Sequence, residues 1–200
     1  MATLFSDIAS IDFQKDFKWF DHLGKNILLD SGQLSPNQLV IPEKDAQKIL
    51  SKVVRLVLDL PKQTTPLVVW SQGKSELLVH SDRTKIQCSS GVITIEVVVE
   101  CDQHDEVMIP VPIGVGRNSS PSGLLMSAFS DLQGPQAIVE TWQDALTAFA
   151  WETIIEIARV VSGNVGKDSR GLDLVPGSIG AANNKLLIQP VARYTLAAGD

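Results

Sequence analysis

The sequence predicts an α+β fold: an antiparallel meander of about five strands plus a C-terminal strand, packed against N-terminal helices and one long helix. Three observations carry this. Apolar residues recur at three- and four-residue spacing before residue 62 and again after residue 136, the spacing of a helix face. Between 65 and 116 they alternate instead, as on strands with one face buried. The connections inside that alternating region are hairpin-length, and such turns join antiparallel neighbours. A chain of 200 residues, 44% hydrophobic and 20% charged, can bury roughly 70% of the surface its unfolded form exposes. It needs no disulfide or metal to do so, and residues 1–200 read as one domain.

Residues 1–62 are expected to be helical. Asp12 can cap a segment in which Phe13, Phe17 and Phe20 fall at i, i+4 and i+7, beside Trp19 and Leu23, with Gly24 ending it. Ser35-Pro36 and Ile41-Pro42 are turn and helix-start signals. From Glu43 to Leu60, Ala46, Ile49, Leu50, Val53, Val57 and Leu60 line one stripe, and Pro61 stops the helix. Glu43 and Asp45 suit the positive end of its dipole.

Residues 65–116 carry the antiparallel sheet. Leu67–Trp70 and Glu76–His80 flank the turn Gln72-Gly73-Lys74, and Lys85–Cys88 and Val92–Cys101 flank Ser89-Ser90-Gly91. On the last of these, Ile93, Ile95, Val97, Val99 and Cys101 share a face, while Val92, Thr94, Glu96, Val98 and Glu100 form a partly wet one. Val107, Ile109, Val111, Ile113 and Val115 repeat the alternation. Pro110 and Pro112, two apart, remove donors from the same flank of that strand, which predicts a sheet edge.

Residues 120–162 are expected to be helices. Ser120-Pro121 reads as cap and first turn of a short one through Leu132, and Gly134-Pro135 separates it from a long one over 136–161. Five glycines make 163–184 read as an irregular loop. Residues 185–196, interrupted by Pro190, read as a strand returning to the sheet. In the long helix the polar stripe drifts: Trp151, Ile155 and Ala158 take the direction that Glu140, Asp144 and Thr147 hold earlier. Either a second layer of the same chain covers these residues or a subunit interface does. The Phe13, Phe17, Phe20 stripe poses the same choice.

A search for chemistry yields little. Seventeen Lys and Arg against 23 Asp and Glu give a net charge of −6, which argues against a nucleic-acid partner. There is no signal-peptide pattern and no apolar span without charge, so the expectation is a cytoplasmic protein with no membrane span. Cys88 and Cys101 make no disulfide framework. His22 reads as a surface residue, and His80 with Asp82 is a commonplace strand-end pair. Cys101-Asp-Gln-His104-Asp105-Glu106 clusters metal-ligating types, yet no second Cys/His pair completes a zinc site, and a charged hairpin turn is the reading adopted. No catalytic residue, cofactor or metal is predicted. The one ligand candidate is the loop 114–123, where Gly114, Gly116, Arg117, Ser119 and Ser120 lie between a strand and a helix start, a place that suits phosphate. It matches neither a Walker A loop nor a dinucleotide fingerprint. The expected function is a non-enzymatic structural or interaction protein, a subunit that assembles with itself or other subunits through Trp151, Ile155, Ala158, Phe13, Phe17 and Phe20. The alternative is a small-molecule or phosphate-binding protein or enzyme using 114–123.

Overall fold

The computed structural model describes residues 38–58, 67–116, 127–128, 131–166, 168 and 171–192. In chain order these form β1 (Leu39–Pro42), α1 (Glu43–Val57), β2 (Leu67–Gln72), β3 (Ser75–Ser89), β4 (Val92–Cys101), β5 (His104–Gly114), β6 (Ser127–Ala128), α2 (Gln136–Val165), β7 (Leu174–Ala182) and β8 (Lys185–Ala192). The class is α+β with antiparallel sheets, as the alternation predicts. The phenylalanines 13, 17 and 20 lie outside the described residues.

The first sheet runs β2-β3-β4-β5-β6. Its meander has four strands rather than five, because 76–80 and 85–88 belong to one strand, β3. The ladder to β4 breaks after the pair His80 with Val98 and resumes at Lys85 with Glu96. Ser81, Asp82, Arg83 and Thr84 therefore bulge opposite Val97. On β4, Ile93, Ile95, Val97 and Val99 are fully buried, and Ile109, Val111 and Ile113 of β5 join them. The outer flank of β5 pairs only at Ile113 and Gly114, with β6, among the described residues. Among the described residues, the flank that Pro110 and Pro112 face thus has no other strand on it.

A second, three-stranded sheet, β1-β8-β7, was not legible in the sequence. Three expectations fail here. Leu39–Pro42 is a strand inside the region expected to be helical, because it pairs with β8 from Leu39 against Ile188 to Pro42 against Lys185. The irregular loop expected over 163–184 holds the end of α2, through Val165, and all of β7. Glycine there serves close approach: a Cβ on Gly180 would stand 3.0 Å from the backbone oxygen of Gly116. The last strand, β8, returns to β1 and β7 instead of to the meander. Of the helix expected over 120–132, Ser127 and Ala128 are strand β6 and Leu132 is not helical; the rest lies outside the described residues.

Both helices close over one core. Ala46, Ile49, Leu50, Val53 and Val54 of α1 are fully buried. The strand β3 runs on past the end of β2, and there α1 takes over as its neighbour. The side chain of Glu43 accepts a hydrogen bond from the Cys88 N–H at 2.6 Å. Gln47 accepts one from the Ile86 N–H at 2.9 Å and donates to the Thr84 carbonyl at 3.0 Å. Two helix residues spaced i, i+4 thus do the work of a missing strand.

The long helix α2 packs against α1 and against β4, β5, β7 and β8. In its first half Ile138, Trp142, Leu146, Phe149 and Ala150 form one buried stripe. From Thr153 to Ala158 every residue is buried, including Glu156, whose carboxylate pairs with Arg159 at 3.3 Å. Ile155 and Ala158, expected as interface residues, lie instead in this chain's own core. The reason is the second sheet: α2 has a layer on more than one side, so it needs apolar residues in more than one direction. Only Trp151 remains outside, 41% exposed. Trp70 locks β2 onto α2, its ring centroid 6.4 Å from Trp142 and 5.8 Å from Phe149. No helix among the described residues is long and apolar enough to cross a membrane.

Candidate functional site

Directly opposed residues in an antiparallel sheet share a face. The outer face of the first sheet therefore carries Leu67, His80, Val98 and Met108 in one row. The next row holds Val69, Leu78 and Glu100. The β4–β5 ladder slips between Val99 and Cys101, so Asp105 and Glu106 both stand opposite Glu100. That slip carries Glu106 to the same group. The bulge in β3 brings Arg83 to it from the other side.

The result is a compact cluster on a half-apolar face. His80 Nε2 lies 3.5 Å from Glu100 Oε1 and 3.5 Å from Glu106 Oε1. Arg83 Nη1 donates to Glu106 Oε2 at 2.6 Å. Arg83 holds the Glu106 carboxyl below the usual carboxylate range through this bond, and the same bond raises the guanidinium in turn. His80 Nε2 is shut off from solvent and has no hydrogen-bond partner. A cleft of 580 Å³ adjoins the cluster, bordered by Asp82, Arg83, Lys85, Glu106 and Met108. Chemically the group offers one imidazole nitrogen and two carboxylates that approach within 4.8 Å of one another.

Sequence reasoning paired His80 with Asp82, its neighbour in the chain. The structure pairs it with Glu100 and Glu106 from two other strands. Of the Cys101–Glu106 run, Cys101 and His104 face each other across the Asp102-Gln103 turn, and only Glu106 joins the cluster. Folding that hairpin about its turn was the available signal for Glu100 beside Glu106. His80 needed the β3 register, which the bulge hides.

In the loop 114–123, Arg117, Ser119 and Ser120 lie outside the described residues. Gly114 pairs with Val92 and Ser127. Gly116 donates its N–H to the Ile179 carbonyl at 3.3 Å and accepts from the Ala181 N–H at 2.9 Å. Its donor is therefore committed to β7 and is not free for an anion. No known family model, curated protein or solved structure matches this chain.

Proposed function

We propose that the chain is a non-enzymatic structural subunit that assembles with a second copy of itself through the free edge of β2. The observation that carries this is the contrast between the two ends of the first sheet. At one end, the outer flank of β5 carries only the two-residue β6 at Ile113 and Gly114 among the described residues, and Pro110 and Pro112 blunt the rest of it against pairing. The other is β2, Leu-Val-Val-Trp-Ser-Gln, with no proline, no charge and no bulge, and no strand on its outer side among the described residues. An open apolar edge of this kind is a template for another strand. Because the sheet is antiparallel, the same strand rotated about a two-fold axis supplies a matching partner. Val69, 52% exposed, and Met108, 47% exposed, extend the apolar surface across the outer face beside it. The free thiols of Cys88 and Cys101 fit a reducing, cytoplasmic setting. Phosphate binding at 114–123 has weaker support, since Gly116 spends its N–H on β7.

Light scattering after size exclusion tests the assembly. The expected result is a dimer at micromolar concentration that Val69→Lys converts to monomer, with the circular dichroism unchanged. Position 69 is exposed, so folding stability should move by no more than about 0.5 kcal/mol while two lysines meet across the axis. A wild-type protein that stays monomeric overturns the reading. So does a dimer indifferent to Val69→Lys.

A further inference from the structure

We propose that His80, Glu100 and Glu106 form a binding site for a divalent transition-metal ion of the zinc class, independent of how the chain assembles. The argument begins with two distances. Nε2 of His80 stands 3.5 Å from an oxygen of each glutamate. If a proton on Nε2 held these groups together, a charge-assisted bond would draw them to about 2.8 Å. The neighbouring Arg83–Glu106 pair, at 2.6 Å, has closed to that range within the same cluster. Nε2 has not, and it is buried without a hydrogen-bond partner.

Tetrahedral coordination explains the spacing. With bonds of about 2.1 Å from the metal to nitrogen and oxygen, the ligands sit roughly 3.4 Å apart, the edge of the tetrahedron. The two 3.5 Å separations from His80 Nε2 match that edge. Octahedral geometry at the same bond length would want about 3.0 Å, which is the magnesium arrangement. The two carboxylate oxygens are within 4.8 Å of each other, and rotation about the broad terminal torsions of glutamate closes the remainder.

The donor set also selects. An imidazole with two carboxylates suits zinc and its neighbours in the first transition row better than calcium or magnesium. Arg83 occupies Oε2 of Glu106 and leaves Oε1 facing His80. It therefore orients the ligand from behind, as the outer partners of metal sites do. Three protein ligands leave a fourth position for solvent or a small anion, and of the three it is Glu106 that borders the cleft along Arg83, Lys85 and Met108.

The test is calorimetric titration of the full chain with zinc chloride, followed by cobalt substitution. One equivalent of Zn²⁺ should bind, and Mg²⁺ and Ca²⁺ should not compete at millimolar concentration. Glu100→Gln and His80→Asn should each weaken Zn²⁺ at least tenfold, with thermal stability without metal retained in Glu100→Gln, whose side chain is one-third exposed. Bound Co²⁺ should show the intense blue absorption of a tetrahedral site. Absence of Zn²⁺ binding, or binding that both substitutions leave unchanged, overturns the site. The pale spectrum of six-coordinate cobalt overturns the geometry.

Discussion

At the residue scale, Cys88 and Cys101 show how position alone separates two identical side chains. Cys88 stands opposite Ile93 and Cys101 opposite His104, at the two ends of β4, so no disulfide can join them. Burial, helped by the nearby Glu43 carboxylate, pushes the Cys88 thiol up from its ordinary 9.0 to about 12. Cys101 is only half-buried. A thiol reagent at neutral pH should therefore modify Cys101 in the folded protein and reach Cys88 only after denaturation, which mass spectrometry of the labelled peptides reads directly. The same burial has a consequence for stability. The folded thiol stays protonated where the unfolded one ionises, so its contribution is whole below the ordinary value of 9.0. It is lost as pH rises toward the folded value, by up to about 1.4 kcal/mol per unit. Urea unfolding should show wild type losing more stability than Cys88→Ala above about pH 9. The double proline at 110 and 112 could be read locally, since a missing N–H belongs to the residue itself. The partners of His80 could not, since they come from strands about 20 and 26 residues away and depend on two bulges.

At the element scale, spacing located α1 and α2 and the meander strands, with ends displaced by a few residues. It did not disclose that α1 serves as a substitute strand. Glu43 reads from the sequence as a first-turn acid suited to the helix dipole, and nothing marks Gln47, yet both are spent on β3. Gln47 matters most, because its amide both donates to Thr84 and accepts from Ile86, clasping the bulge that aims Arg83. Gln47→Ala should cost about 1–3 kcal/mol by leaving a buried N–H without a partner. Urea titration measures it, and Gln47→Glu, which keeps the acceptor and loses the donor, should cost less. If both variants are neutral, the clasp contributes nothing.

At the scale of the whole molecule, the two sheets meet through a short run of backbone. Gly91 donates to Ala181, Asn184 donates to the Cys88 carbonyl, and Gly116 exchanges bonds with Ile179 and Ala181. Gly180 lies at this junction, where a Cβ would meet the backbone oxygen of Gly116 at 3.0 Å and its carbonyl carbon at 3.4 Å. Backbone pinned on both sides has little freedom to yield, so Gly180→Ala should cost about 1–3 kcal/mol. Gly163, in the last turns of α2, has open space around its Cβ position, and Gly163→Ala should raise stability by about 0.4–1 kcal/mol. Opposite signs for the same substitution, seen in one pair of melting curves, check the junction. The sequence by itself determined the α+β class, the two helices, the meander and its blunted edge. Those follow from periodicity and from groups a residue does or does not possess, which are local properties. Only the tertiary structure decided that 174–182 is a strand, that Ile155 and Ala158 lie inside, and that a histidine meets two glutamates. Each of these depends on which distant segment arrives alongside. A glycine-rich run becomes a strand when another backbone needs to approach it closely. A helix face becomes core when a second sheet is there to cover it.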